Sequence, residues 1–497
     1  MTQTTCHIRA APVAGRAVLT VAAILLATIA ASVGVGSAAA SAGAADFRAG
    51  GTDVPGVGAA ASSAAWAPHR VVVGVVPRRS HTSAGHTAVA SGGSAQPRIR
   101  TVVKSLRRHE SIAQALRRLR GRPGVAYAYP DYVAHAAGAF FPDDPGRAHR
   151  RRGWEQMQWN MLAGSGVDAP RAWANLLADK RAGGKGVTVA VLDTGVAYRD
   201  WGKFRISPDF RGGRFVAPYD FIAHNRDPLD RNGHGTFVAG AVAERTNNGV
   251  GLTGLAYGAS IMPVRVLNQS GEGAESTIAR GIRYAVDHGA RVVNLSLEFV
   301  LSRVHSSSQI PLIVQAVNYA RRHRVVVVGA AGNDDASKIA FPARVSGVVS
   351  VGATTKDGCQ ASYSNRGPDL DLVAPGGGDD AVIASDSACH PNRVLPPIYQ
   401  LTLSAPPFHG DPGKFGRFGY PGYYIGTSMA APEVSAAAAL VIASRVLGPR
   451  PTSAHVLRRL ERTATPLPAG VSGADEAYGH GLINAGAATA RPPTSSR

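Results

Sequence analysis

From Trp154 onward two hydrophobic patterns alternate along the chain. The runs "GVTVAVLD", "SIMPVRVL", "ARVVNLSL", "RVVVVGAAGN" and "GVVSVGAT" are short, nearly continuous and rich in valine, as buried strands are. Between them "HGTFVAGAVAER", "ESTIARGIRYAVDHG" and "PLIVQAVNYARRH" carry apolar residues at helical spacing. Strands without a polar face must be covered on both sides, so the alternation predicts an α/β domain with a mostly parallel central sheet flanked by helices, over 154–489. A smaller α+β unit precedes it over 68–136: a strand "RVVVGVVPR", then a helix, a Pro-Gly turn and an alternating strand in "ESIAQALRRLRGRPGVAYAYPDYVAHA". Between the two, within 137–153, "RAHRRRG" reads as a charged, exposed linker.

The remaining patterns are irregular. Arg9 and Arg16 precede an uncharged apolar run at 17–36, and "SAAASAGAA" follows with A-x-A cleavage sites, so 1–45 reads as an export signal; an uncleaved membrane anchor is the alternative. Residues 46–67 are a Gly/Ala/Ser-rich flexible linker, and 490–497 a flexible tail. Residues 377–424 read as a long loop rich in Pro, Gly and aromatics. Directly after it stands "YYIGTSMAAPEVSAAAALVIAS" (423–444), a helix apolar nearly all round and therefore buried. Pro432 confines its start, which falls at about Ser428, because proline is tolerated in a first turn. Ser428 then lies at the positive end of the helix dipole, either as an ordinary N-cap or beside a developing anion.

Composition narrows the function. Of the formal net charge of +20, residues 1–139 carry +11, with 15 Lys+Arg against 4 Asp+Glu. The excess on the larger domain is modest, and an arginine-rich solvated surface with no nucleic-acid partner accounts for it. Of three cysteines, Cys6 falls in the signal, and Cys359 and Cys389 form an even pair that an exported chain would join; two buried thiols are the alternative.

Two further stretches bear on Ser428. "VTVAVLDTGV" ends a buried strand with Asp193, and "DRNGHGTFVAG" sets His234 between glycines at a helix start. A serine hydroxyl needs a base to take its proton, and that base needs a carboxylate to fix its tautomer. Asp, His and Ser occur in that order. "VAVLDTGV", "NGHGTFVAG" and "GTSMAAP" resemble the three active-site motifs of subtilisin-like (subtilase, S8) serine peptidases, and the resemblance runs from about Gln158 to Ala488. It implies a subtilisin-like three-layer fold and a secreted, extracellular endopeptidase with Asp193, His234 and Ser428 as catalytic residues, acting on protein or peptide substrates. It implies Asn333, at the end of "VVVVGAAGN", as oxyanion donor. Substrate would lie as an extended strand against a sheet edge that includes Ser296, Leu297, Glu298 and Gly332. The chain departs from the family at Glu298, where glycine is common, at Glu433, where histidine is usual, and in the 377–424 insertion, which could wall or cover a pocket. "GRPGVAYAYPDYVAHA" resembles the end of an inhibitory propeptide, implying a self-processed precursor cut between about Val133 and Arg150. No cofactor is required, and no metal ligand is assigned; "RTNNGVGLTG" resembles a calcium-binding loop, with backbone carbonyls and an Asn as ligands, which leaves structural calcium open. The chain is expected to act as a monomer and to meet a membrane only during export. A non-catalytic relative would lack a triad residue, and none is missing. An esterase would show the G-x-S-x-G elbow, which is absent, as are the H-E-x-x-H zinc motif and a phosphate-binding loop.

Overall fold

A computed structural model describes residues 5–7, 66–76, 99–107, 110–132, 140–382, 389–391, 393–404, 415–467 and 476–491. The expected signal apart from residues 5–7, most of the 46–67 linker, the stretch 133–139 and the tail beyond residue 491 lie outside the described residues. The first element is a short strand, β1 (Thr5–His7). Two compact units follow from the chain's contacts, one within 37–137 and the other from residue 138 on, to which β1 also belongs.

The smaller unit holds β2 (Trp66–Val75), β3 (Arg100–Ser105), α1 (Ile112–Arg120) and β4 (Val125–Tyr132). Its sheet is antiparallel, in the order β3-β2-β4. Val71 and Val73, two apart on β2, share a face and pack on Ala115 and Leu119 of α1 and on Ala128. A capping box between Ser111 and Gln114 starts α1, satisfying N–H groups that the first turn leaves unpaired. The expected strand–helix–turn–strand is present; β3, largely exposed, is an addition to it.

The larger unit begins with α2 (Trp154–Met157) and α3 (Ala169–Ala178), then β5 (Thr188–Asp193), β6 (Tyr219–Asp220), α4 (His234–Ala243) and β7 (Ser260–Arg265). Next come β8 (Glu272–Ala274), α5 (Glu275–Asp287), β9 (Val292–Leu295), β10 (Glu298–Phe299), α6 (Pro311–Arg322), β11 (Val326–Ala330), β12 (Val348–Thr354) and β13 (Leu372–Pro375). The paired strands β14 (Thr402–Leu403) and β15 (Phe418–Gly419) precede α7 (Thr427–Ser444), α8 (Ser453–Thr463) and α9 (Ala485–Thr489). Seven strands form a parallel sheet in the order β13-β12-β11-β9-β5-β7-β6. Strand periodicity sorts its side chains into two cores. Val189 and Val191 of β5 face a layer containing α3, α4 and α7, while Ala190 and Leu192 face α5 and α6. This three-layer arrangement is the expected fold class.

All 18 residues of α7 are buried. Length and composition alone would let this helix cross a membrane, but its apolar surface is covered by the sheet and neighbouring helices, so it is a core helix. The helix starts at Thr427 with Gly426 as N-cap, so Ser428 is its second residue and not the cap. Pro432 is therefore the sixth helical residue, past the first turn to which the sequence argument confined it. The consequence falls on Ser428, whose carbonyl would ordinarily accept the N–H of residue 432.

The described parts of 377–424 are less loop-like than expected. Leu395, Ile398, Leu401 and Leu403 are buried, β14 and β15 pair antiparallel, and Tyr424 just beyond stacks on Phe237 of α4 at 4.2 Å. Residues 383–388, 392 and 405–414 lie outside the described residues. Ahead of α2, residues 147–152 are exposed, but Asp144 is fully buried and the Trp154 indole donates to Pro142 O at 2.9 Å. The chain from Phe140 on is thus part of the larger unit's packing.

Candidate active site

The carboxyl ends of the three adjacent strands β11, β9 and β5 converge on the N-termini of α4 and α7. Asp193 is the last residue of β5 and is fully buried; its Oδ1 accepts the Thr194 N–H at 2.7 Å. His234 is the first residue of α4, with Nδ1 2.8 Å from Asp193 Oδ1 and 3.0 Å from Oδ2. A carboxylate there requires the proton on Nδ1, which leaves Nε2 as the basic nitrogen. Nε2 is buried without a hydrogen-bond partner among the described residues. The approach of α4 to β5 depends on Gly235: a Cβ there would lie 2.1 Å from Gly195 O and 3.1 Å from the Asp193 side chain.

Ser428 follows Gly426 (φ +147°), a backbone setting that favours glycine. Its Oγ lies 3.4 Å from Ser296 O, and no hydrogen bond to His234 is formed in this structure. Asn333, in the loop after β11, is tied to the residue before Ser428. Its Oδ1 accepts from Thr427 N at 2.8 Å and Thr427 Oγ1 at 3.1 Å, while Thr427 Oγ1 accepts from Gly332 N at 3.2 Å. Two donors on Thr427 can be met only by the amide oxygen, so Nδ2 is the arm of the amide turned away from Thr427.

Ser296 and Leu297, expected at the substrate edge, are buried at 0 % and 1 % exposure. Ser296 Oγ donates to Ser428 O at 2.8 Å, supplying the donor that Pro432 lacks, and accepts from Asn294 Nδ2 at 2.9 Å. Ser435 Oγ in turn donates to Asn294 Oδ1 at 2.8 Å. Both side chains thus turn inward, and it is backbone that this stretch turns outward. Glu298 is also buried; its Oε2 accepts the Asn333 N–H at 3.3 Å, and a Cβ added to Gly332 would lie 2.4 Å from the same oxygen. The strands β8 and β10 each pair antiparallel with β1, so an extended segment of this chain lies between them, with Cys6 opposite Gly273 and Phe299.

Asp230 escaped the sequence reading. Its Oδ1 accepts from Thr194 Oγ1 at 2.9 Å, Asn232 N at 2.9 Å and Gly233 N at 3.0 Å; its Oδ2 accepts from Thr236 N at 2.9 Å and Thr236 Oγ1 at 2.6 Å. One carboxylate thereby fixes both the turn after Asp193 and the first turn of the helix carrying His234. The signal was present as an Asp four residues ahead of the helix start. On the other flank, Thr402 Oγ1 donates to Gly233 O at 2.5 Å, so the 377–424 segment buttresses the same loop.

Glu433 is fully buried on α7, where Asn160 Nδ2 donates to Oε1 at 2.6 Å. Burial pushes its carboxyl well above the usual range. Cys359 and Cys389 are joined by a disulfide across 30 residues. Asp380 lies beside them, but sulfurs committed to a disulfide are not thiolate ligands, so this cluster is no metal site.

The calcium question turns on carboxylates that sequence proximity did not reveal. Asp144 accepts from Asn247 N at 2.8 Å and Asn248 N at 3.1 Å, and Asp209 from Leu252 N and Asn248 Nδ2, both at 2.8 Å. Burial pushes Asp144 up to about 6 and raises Asp209. Glu244 is raised well above its usual range by burial, then by the Asp209 charge. Buried, mutually repelling carboxylates are a hard-oxygen set that suits a divalent cation. Of the loop's asparagines, Asn247 Oδ1 accepts from Asp143 N at 3.1 Å and Asn248 Oδ1 from Val250 N at 2.9 Å; the acidic pair Asp144 and Asp209 supplies the charge that would hold an ion.

The Peptidase S8 family model, described as the subtilase family, matches residues 184–481. The chain is 36% identical over 308 residues to subtilisin BL of Lederbergia lenta, covering 62% of this chain and 91% of that protein. It is 32% identical over 374 residues to the thermophilic serine proteinase of Bacillus sp. (strain AK1), covering 75% of each. Among solved structures, a protease from Pseudoalteromonas arctica PAMC 21717 superposes with a TM-score of 0.54 at 31% identity, over 70% of this chain and 99% of that one.

Proposed function

The chain belongs to the subtilase family and is a subtilisin-like serine endopeptidase, and on that premise we propose that Asp193, His234 and Ser428 are its catalytic triad. The observation that carries this reading is the bond from His234 Nδ1 to the buried Asp193 carboxylate, made beside the N-terminus of the helix bearing Ser428. In the reaction, His234 Nε2 takes the Ser428 proton as Oγ attacks the peptide carbonyl, and Asp193 stabilises the imidazolium. The proton passes to the leaving amine, an acyl-enzyme forms on Ser428, and water releases it by the reverse sequence. The tetrahedral oxyanion is stabilised by Asn333 Nδ2 and by N–H groups at the start of α7. The bond between Ser428 and His234 forms as substrate excludes water, since such contacts are often long before a substrate is bound. Substrate adds as a strand between β8 and β10, the lane that β1 takes in this structure.

The precursor is exported and processes itself, and the unit at 68–136 acts as its inhibitor and first substrate. The cut falls before Phe140, because Pro142 and Asp144 are already committed to the catalytic unit through Trp154, Asn247 and Asn248. A structural calcium ion is held at Asp144 and Asp209. The mature enzyme is an extracellular monomer with protein substrates and no required cofactor. Ser428→Ala tests the assignment: the secreted chain should remain uncut and hydrolyse no peptide. Normal processing and turnover by that variant would refute it.

A further inference from the structure

We infer that Glu298 selects the cleavage site by reading a basic side chain immediately before the scissile bond. This rests on the assignment of Ser428 and Asn333 above. The nucleophile and the oxyanion residue each touch one end of the same three-residue stretch: Ser428 Oγ lies 3.4 Å from Ser296 O, and the Asn333 N–H donates to Glu298 Oε2 at 3.3 Å. A peptide carbonyl within reach of Ser428 Oγ, with its oxygen at Asn333, therefore sets its own side chain beside 296–298 and 332–333. That same lane is where β10, containing Glu298, pairs with an extended strand.

Beside the Glu298 carboxylate stand Asn365 Nδ2 and the Ala340 methyl, 2.1 Å and 3.0 Å from where a Gly332 Cβ would lie. Gly332 contributes no side chain, so Glu298 is the acidic group there. The absent Cβ of Gly332 is what lets Oε2 seat, since an added Cβ would stand 2.4 Å from it. Glu298 is 4 % exposed. In such surroundings a guanidinium or ammonium makes a charge-assisted hydrogen bond stronger than the same pair makes in water. A leucine or phenylalanine would instead cover a carboxylate with hydrocarbon and strip its remaining hydration, so selectivity comes from rejection as well as attraction. The chemical class of substrate is thus an extended peptide with Arg or Lys before the cut.

The test compares the secreted enzyme with Glu298→Gln and Glu298→Gly on matched peptides carrying Arg, Lys, Leu or Phe at that position. Glutamine keeps the volume and removes the charge; glycine opens the wall. A fluorophosphonate probe, which carries no side chain for this pocket, counts competent Ser428 in each preparation, so misfolded protein is not mistaken for altered preference. We expect native kcat/KM to favour Arg and Lys over Leu by about ten- to a hundredfold. The ratio should fall by at least about tenfold in Glu298→Gln, and Glu298→Gly should favour Leu and Phe. A native preference for Leu or Phe, or one order of preference shared by native and Glu298→Gln at equal titration, overturns the inference while leaving the triad intact. Absence of both labelling and hydrolysis in the native chain overturns the triad, and the inference with it.

Discussion

Replacing Ser296 by alanine should damage catalysis without touching a triad side chain, and replacing Pro432 by alanine should partly repair the damage. The carbonyl of Ser428 sits in the first turn of α7, where residue 432 would normally supply its helical N–H; proline has none, and Ser296 Oγ donates at 2.8 Å instead. Ser296→Ala leaves that buried carbonyl unpaired and removes the acceptor for Asn294 Nδ2, which together cost about 1–3 kcal/mol of stability. The same carbonyl belongs to the nucleophile's own backbone. Small shifts in reacting geometry cost up to about a hundredfold, so kcat should fall about ten- to a hundredfold with KM little changed. Pro432→Ala restores a helical donor to the same oxygen, so the two substitutions share a partner and should not add. Stability is read by urea unfolding in a Ser428→Ala background, which stops self-digestion and keeps the carbonyl; kcat is read in the active chain. Ser296→Ala should cost at least about 1 kcal/mol less when alanine already stands at 432. Effects that add to within about 0.5 kcal/mol would refute the compensation between Ser296 and the proline.

Asn333→Ala should lower kcat about a hundred- to a thousandfold with a small change in KM, since its amide acts on the transition state; equal losses in binding and turnover in steady-state kinetics would contradict this. Glu433→Gln should match the native chain at pH 5 and become more stable than it as pH rises, by about 1.4 kcal/mol per unit up to the folded pKa. The sign follows from a folded pKa raised above the unfolded one: stability is full below the unfolded value and lost progressively up to the folded value. Glutamine at 433 would also offer a donor beside Asn160 Oδ1, which has no partner among the described residues; a pH-independent margin in urea unfolding would show that Glu433 is not held neutral. Asp144, Asp209 and Glu244 carry the same sign, so in a chelator the thermal midpoint should decline from pH 5 to 8 through these groups, and millimolar calcium should remove most of the decline; equal slopes with and without calcium would exclude an ion at Asp144 and Asp209.

Much of the fold was legible because its determinants are local. The valine runs became β5, β7, β9, β11 and β12, and the helical-period stretches became α4, α5 and α6 within a residue or two of the patterns. The strand β13 is only four residues, "LVAP", and pairs with β12 through a parallel register that no local pattern announces. The triad candidates were legible because each sits where a motif meets an element end. What surrounds them was not, since it depends on distant partners. Asp209 and Asp144 reach the 247–252 loop from positions far upstream, Asn160 reaches Glu433, and Thr402 reaches Gly233. Placing Pro432 in a first turn failed for a related reason. The local rule prices the missing N–H as if nothing else could donate, and Ser296 arrives from another strand end to do so.

The contacts around the triad candidates share a direction. They tie loops at the carboxyl ends of strands to α4 or α7, and the sheet orders the strands so that β11, β9 and β5 are neighbours. Asn333 is held through Thr427, the 294–296 segment through the Ser428 carbonyl and Ser435, and the turn after Asp193 through Asp230 to Thr236. A shift of α7 along its axis would therefore move Ser428, its Asn333 tether and the Ser296 contact together. Relative placement inside the site is set by short hydrogen bonds between neighbours, while the helix as a whole is fixed by a fully buried apolar surface. Glu298 and Glu433, where the sequence resemblance implied departures, occupy these two regimes. Glu433 lies inside the apolar seat of α7, where burial favours its neutral form and Asn160 Nδ2 donates to Oε1. Glu298 is buried beside the candidate site, against the Asn333 N–H, where we infer that it meets a charge brought by substrate. The same residue type is thus expected to be structural in one place and selective in the other, with the surroundings and the incoming ligand deciding between them.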